Sequence, residues 1–597
     1  MPERRRVRMR IAFSLAATLA TALAAGALQA GTADDQLAKG RAAISRGDGV
    51  GAEIAYKNAL DSGALRPAVA AGMGEALLLE GKPDEARKWL ASGLFAPADA
   101  VRGWRALARL ESAQGHFAEA ETALGKALAL APGEAETVVD LAQLRYRSGR
   151  QIEAIANVDE ALALDRANVR ALDFRGLIVR DQFGPAAALP WFEAALYKAP
   201  GDPAVLGDYA AALGDAGRMR EMLAVTRRML EIGADPRRAL FLQAVLAARA
   251  GNTSLARSML NKAGDPIRTP AGLMLDAMLD LDAGNANLAV NILDELVRRQ
   301  PLNEAAQMLL ARAVYEGGQP EQVVARFGAM AVRDGASPYL MTIVARAYED
   351  LGRRQDAAPL LDRAAAVAKA GLVPAIDLAS FDDAAGRARA FPGDVEAAAA
   401  QVRALIGQGR AGDAAALAER VRGEHPGMAA AALLAGDARF AAGQFDLALG
   451  AYGDAAKVRF DDPLLARTVY AQAWLGRRDL ASQTGAAYFA ARPESRVGAR
   501  IEADYAASLG DWGKARMILT NLQGRGGQRD LRLLCDLAFA QLRAGDPAAA
   551  EQTARAALRL QPMSPLAAQV LAMTLGARGE KGRLRDVLVA KAGSTAR

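Results

Sequence analysis

The chain has 597 residues, more than one ordinary hydrophobic core accommodates. A hydrophobic content of 52% excludes a disordered chain, and 5% aromatics with abundant alanine suit helices packed closely through small side chains. Most of the formal charge of +6 sits at the start: residues 1–30 hold Arg4, Arg5, Arg6, Arg8 and Arg10 against Glu3, which leaves +2 on the remainder and excludes the broad basic footprint of a nucleic-acid binder.

Residues 1–30 read as a secretory signal peptide. A basic start precedes the apolar run IAFSLAATLATALAAGALQA, and small residues offer cleavage points after Ala27, Ala30 or Ala33. The alternative is a membrane anchor, because the uncharged run from Ile11 to Ala33 is long enough to span a bilayer. Much of it is Ala, Gly and Thr, which favours cleavage. No second stretch approaches membrane length, so no integral span is expected after cleavage. The arginines make a poor twin-arginine motif, which favours the general secretory route and a periplasmic destination. Cys535 is the one cysteine of the chain, so neither an internal disulfide nor a lipid-acylated cysteine after the signal is expected.

From residue 34 onward the sequence repeats. Starting at Gly115 and stepping by about 34 residues gives Gly47, Gly81, Gly149, Phe183 with Gly184, Gly217, Gly251, Gly284, Gly318 and Gly352. After a gap the series resumes at Gly409, Gly443, Gly476, Gly510, Gly545 and Gly579. Five residues after the turn stands a small residue, among them Ala52, Ala86, Ala120, Ala154, Ala188 and Ala256. Seven before it stands another, among them Gly74, Ala108, Ala142, Gly176, Ala210 and Gly436. Proline recurs seventeen after it, as Pro132, Pro200, Pro301, Pro426, Pro493 and Pro562. Glycine ends a first helix by taking the left-handed conformation, and proline ends a second by withholding its N–H. Apolar residues at helical spacing fill the space between, as in AEAETALGKALAL. Each unit is therefore a helix–turn–helix that buries its apolar face only by stacking on its neighbours.

This pattern resembles the tetratricopeptide repeat family over about residues 34–590. The unit from Val101 to Glu134 carries Trp104, Leu107, Ala108, Gly115, Ala120, Leu124, Ala127 and Pro132 at the family positions. Tyr56, Phe192, Phe327 and Tyr452 fill the aromatic position of the second helix in other units, whereas Met222 replaces the expected alanine after Gly217. The resemblance implies an all-α, right-handed superhelical solenoid of about sixteen units. The register breaks between Gly352 and Gly409, where two prolines bracket an apparent short helix within residues 371–394. That divides the repeats into an array over 34–370 and another over 394–597, with 371–393 either a decayed repeat or a hinge.

Catalytic constellations are not evident. His116 and His425 lie at inter-helix positions, far from each other and from Cys535, so neither a zinc site nor a Cys–His nucleophile pair is expected. No phosphate-binding loop is present. Pairs such as Asp34 with Asp35 and Asp461 with Asp462 read as helix caps and turns. The expectation is a binding protein that is not an enzyme and uses no metal or cofactor.

In the family it resembles, positions thirteen, ten, six and three before the turn line a concave groove. Here those positions give Arg102, Arg105 and Arg109, then Tyr146, Arg170 and Arg180, then Arg238, Phe241, Tyr315 and Arg346. Phe440, Tyr470, Arg500, Arg532 and Phe539 follow in the C-terminal units. The N-terminal arginines suit an acidic peptide or an anionic polysaccharide, and the aromatics suit an apolar helix, an extended peptide or a sugar face. Lysine and asparagine pairs that clamp a peptide C-terminus are not found. The N-terminal units, with a Gly47-Asp48 turn and the run from Lys57 to Leu60, are similar to the start of repeat proteins associated with exosortase (PEP-CTERM) and exopolysaccharide loci. The resemblance implies a scaffold that holds envelope proteins or peptides for polysaccharide export. A direct glycan or peptide carrier is the alternative.

Overall fold

A computed structural model describes residues 33–264, 269–301, 303–333, 336–366, 381–390, 394–562, 564–580 and 582. The expected signal segment 1–30 lies outside them, as do residues 371–380 and 391–393 of the insert. Every regular element among the described residues is helical, and the helices alternate in antiparallel pairs. The architecture is an α solenoid.

The pairing follows from the turn. The helix Ala100–Ala113 ends before Gly115, whose φ of 84° is the left-handed value that glycine adopts without strain. The N–H of His116 then reaches back to the carbonyl of Glu111 at 2.9 Å, which caps the helix end and turns the chain into Phe117–Leu130. The same closure joins Lys82 to Leu77, Arg218 to Leu213 and Asp546 to Gln541. Gly47, Gly81, Gly149, Gly184 and Gly217 all have positive φ, as do Gly251 through Gly579 in the repeat series. In the fifth unit the series therefore runs through Gly184 and not Phe183. An acid or amide directly after the glycine caps the second helix in several units: Asp48 accepts from the N–H of Gly51 at 2.8 Å and Asn252 from that of Leu255 at 3.1 Å.

The small columns lie where helices cross. Ala52, Ala86, Ala120, Ala154 and Ala188 are fully buried in second helices, and Ala108, Ala142 and Ala210 are buried in first helices. Glycine in the first helix makes room for a large residue in the second. A Cβ on Gly176 would lie 2.7 Å from the Phe192 ring, and one on Gly436 would lie 2.3 Å from the Tyr452 ring. Met222 is accommodated in the same way, since a Cβ on Gly214 would lie 2.7 Å from its sulfur. The helices Pro203–Asp215 and Met219–Glu231 remain an ordinary pair despite the departure from the repeat pattern.

The chain divides into two compact units after Phe174. In the first, Leu37, Tyr56, Met73, Leu90, Leu110 and Leu124 belong to one continuous core. In the second, separate cores succeed one another along the repeats, the largest running from Leu273 to Ala364. The helix Phe381–Ala390 lies within the expected insert and packs through Ala384 on Ala400 and Ala404 of Val395–Gly407.

Candidate functional site: the face formed by successive first helices

In the first unit, the first helices of neighbouring repeats lie side by side, and the expected groove positions fall on one shared face. Arg102 pairs with Glu75 on the preceding first helix, Arg66–Leu79. Arg105 reaches forward to Asp140 at 2.7 Å and Glu136 at 3.1 Å on the following one, Ala135–Arg147. Arg109 bridges both, 3.8 Å from Glu75 and 3.4 Å from Asp140. Arg170 closes from the far side, at 2.6 Å from Glu136 and 2.7 Å from Asp140, and also donates to Gln143 at 3.1 Å. Tyr146 stands at the edge of this network, its ring 5.7 Å from Phe174 in a T-shaped contact.

The network centres on Asp140, which is 7% exposed. Burial works to raise its pKa, but Arg109, Arg170 and Arg105 outweigh it and hold the carboxyl below the usual range. Glu136 is also held low: burial opposes the shift, and Arg170 prevails. The expectation of free positive charge for an anionic ligand therefore needs revision in this unit. Arg102, Arg105, Arg109 and Arg170 are spent on Glu75, Glu136 and Asp140, and Glu134 lies 3.5 Å from Arg105 as well. The paired charges leave donors and acceptors at the surface but little net field.

In the second unit the remaining predicted residues divide by environment. Arg238 pairs with Asp208 at 2.5 Å and lies flat against the preceding first helix, where a Cβ on Gly207 would meet its guanidinium at 2.4 Å. Phe241 is half-buried beside Ala244 and Leu275. Tyr315 is packed against the core between Leu273 and Ala364; burial and a hydrogen bond with Asp350 push its phenol above the ordinary value. Arg346 pairs with Glu349 at 2.5 Å and donates to the carbonyl of Leu560. Phe241 and Tyr315 thus serve packing, and Arg346 ties together segments far apart in sequence.

Other long-range ties in this unit involve the end of the helix Val169–Phe183. The N–H of Phe460 donates to the carbonyl of Asp181 at 3.0 Å, and Arg492 donates to the same carbonyl at 2.9 Å. Gly184, at φ 99° and ψ 165°, sits so close to the carbonyl of Ala491 that a Cβ would lie 2.6 Å from its oxygen. A cavity of about 360 Å³ opens beside these contacts, lined by Arg180, Asp181, Arg459, Asp462 and Arg492 among others. Its carboxylates are engaged: Asp462 accepts from Tyr488 at 2.7 Å and from Ser495 at 2.6 Å, and Asp181 lies 3.3 Å from Arg459.

Sequence reasoning named the arginines of the groove but missed the acids that answer them. The signal was available, since Asp140 and Asp208 both stand nine residues before their turn glycines and both pair with an arginine thirty residues on. An exposed aromatic was also missed: Trp474, two residues before Gly476, is 61% exposed and stacks on Phe445 with ring centroids 5.5 Å apart.

Comparisons with known proteins agree with the repeat. Residues 101–144 match one tetratricopeptide repeat model, and residues 276–335 and 399–463 match another. A stretch of 273 residues, 44% of this chain, is 29% identical to cellulose synthase operon protein C of Xanthomonas axonopodis pv. citri (strain 306), of which it spans 16%. Among solved structures, a tetratricopeptide repeat protein from Parabacteroides merdae is 16% identical, covering 39% of this chain and 93% of its own, with a TM-score of 0.29. A human IFIT1 dimer is 16% identical, covering 60% of this chain and 91% of its own, with a TM-score of 0.37.

Proposed function

We propose that this chain is a non-catalytic protein–protein interaction scaffold of the bacterial cell envelope, resident in the periplasm and serving the assembly or export of an exopolysaccharide. The observation that carries this reading is the face built from successive first helices. Ion pairs between neighbouring repeats, with Asp140 at their centre, hold it in one arrangement before any partner arrives. A preorganised surface of this kind binds without a large ordering cost. Two further observations support the reading: the matches to tetratricopeptide repeat models, and the partial likeness to a protein named for a cellulose synthase operon. An exosortase-linked system is the narrower form, and it rests on the sequence of the first units alone.

A second reading, a carrier that holds a glycan or peptide directly, is favoured by the exposed ring of Trp474 in the C-terminal repeats. The test is genetic and biochemical. Deleting the gene should lower exported polysaccharide and leave polymer synthesis in isolated membranes intact, and the chain should fractionate with periplasmic markers. Unchanged export, or recovery in the cytoplasm, contradicts the proposal.

A further inference from the structure

The repeats of the second unit are held together in two ways. Neighbouring repeats share apolar cores, such as those from Leu273 to Ala364, from Ala499 to Ala540 and from Leu534 to Leu575. Repeats far apart in sequence meet instead through polar contacts at helix ends. Gln182 donates from Nε2 to the carbonyl of Lys457 at 2.6 Å, beside the bonds that the Asp181 carbonyl accepts from Phe460 and Arg492. Arg529, in the turn that leads into Leu531–Arg543, lies 2.7 Å from Glu316 at the end of Glu304–Glu316. Arg346 donates to the carbonyl of Leu560, and the buried Gln561 donates from Nε2 to that of Leu361 at 3.3 Å.

Two of these contacts fall on the face of first helices. Arg346 stands six residues before Gly352 and Arg312 six before Gly318, both at groove positions. Arg312 lies 2.9 Å from Glu316, and Arg529 takes the same carboxylate oxygen from the side of the C-terminal repeats. Tyr339, thirteen before Gly352, also feels the charge of Arg529. Groove positions of the middle first helices are therefore shared with the C-terminal repeats of the same chain.

Contacts of this kind part easily. The Arg529 side chain is 68% exposed, so water and salt screen its pair with Glu316. Gln182 and Gln561 each spend Nε2 on a tie and leave a buried Oε1 that has no partner among the described residues. Water satisfies both oxygens once the repeats separate, which lowers the cost of separation. We propose that the C-terminal repeats are an autoinhibitory strap: closed, they hold part of the face of Glu304–Glu316 and Pro338–Asp350, and a partner protein gains that face when Arg346, Arg492 and Arg529 let go. The strap rests on the reading of the first helices as the binding face.

The test is single-molecule fluorescence transfer in the full chain, with dyes on Leu288→Cys and Met517→Cys. Both positions are exposed on second helices, and the native Cys535 is buried and stays unlabelled. At low salt a high-transfer state should dominate, and raising salt to about 1 M should populate a low-transfer one. Combining Arg346→Ala, Arg492→Ala and Arg529→Glu should raise the open-to-closed ratio roughly tenfold, the scale of a few released polar contacts. Arg326→Ala, which breaks a tie to Asp294 between neighbouring repeats, should leave the ratio unchanged. Circular dichroism should match wild type throughout, because the cores of neighbouring repeats are untouched. In the triple variant a polyethylene-glycol maleimide should label Tyr339→Cys faster than in the wild-type background. A ratio that the triple variant leaves unmoved, an equal shift by Arg326→Ala, or one labelling rate in both backgrounds would overturn the strap. The binding reading fails separately: partner cross-links confined to second helices remove it and leave the opening in place, whereas an unmoved ratio removes the strap alone.

Discussion

Replacing Asp140 by asparagine keeps the side chain's size and removes the charge on which three arginines converge. The local cost can be worked from the geometry. Arg105 has a side chain 13% exposed and donates to Asp140 at 2.7 Å, so its charge-assisted bond counts in full, about 2 kcal/mol. Arg170 is 35% exposed at 2.7 Å, and solvent screening cuts its share to about 1 kcal/mol. Arg109, 46% exposed and 3.4 Å away, adds little. Glu136 remains within 3.1 Å of Arg105 and 2.6 Å of Arg170 and offsets part of the loss. The expected net is about 2–3 kcal/mol, at or below the lower end for breaking a buried pair. Because repeats unfold with their neighbours, the effect should be local: amide exchange in Ala100–Ala113 and Ala135–Arg147 should quicken by roughly thirtyfold or more, with the C-terminal repeats unchanged. The pH dependence supplies a second arm. Asp140 is held below its ordinary value, so its contribution is complete above the unfolded pKa near 4 and is lost as pH falls through the lower folded value. Wild-type protection in these helices should therefore decline below about pH 4, and the asparagine variant should lack that component. Wild-type exchange rates in Asp140→Asn would refute the claim that the ladder holds the face together.

Other consequences follow from the packing. Ala120 is fully buried at a helix crossing, so Ala120→Glu should destabilise the N-terminal repeats by a few kcal/mol, read as a lower melting temperature. Gly184→Ala places a Cβ against the carbonyl of Ala491 in backbone almost reserved for glycine; it should cost about 1–3 kcal/mol from the backbone alone and expose the end of Val169–Phe183 to faster exchange. Gly176→Ala should destabilise, and adding Phe192→Leu should recover part of the loss, because the two residues share one space; strictly additive effects would contradict the contact. Desolvation, with Asp536 beside it, pushes the Asp504 carboxyl up to about 6. Its folded value lies above the unfolded one, so protonation stabilises the fold: local stability should fall as pH rises from about 4 to about 6 and level off above, and Asp504→Asn should remove that step, as residue-level exchange from about pH 4 to about pH 7 would reveal.

The helix pairs were legible because their causes are local. A glycine that must turn left-handed, a proline that cannot continue a helix and small residues at crossings recur at fixed spacing, and each leaves a mark in the sequence. Exceptions such as Met222 were harder to place, since the compensation lies at Gly214 on another helix. The candidate site was half legible. Spacing put Arg102, Arg105, Arg109 and Arg170 on one face, but whether a cation is free depends on what the neighbouring helix presents: Glu75 answers Arg102, and Asp140 lies 30 to 35 residues from Arg105, Arg109 and Arg170. Phe241 and Tyr315 were drawn inward by packing that the groove spacing does not encode. The stack of Trp474 on Phe445 escaped notice because it joins the end of one first helix to the start of the preceding second helix, outside the groove columns.

The central claim is that the face of successive first helices is where partners bind. Cross-linking in intact cells, followed by mapping of the linked peptides, tests it most directly. Links to envelope components should concentrate on first helices, such as Ala100–Ala113, Ala135–Arg147 and Asp462–Trp474. Links confined to second helices, such as Phe117–Leu130 and Arg478–Ala491, would contradict the account.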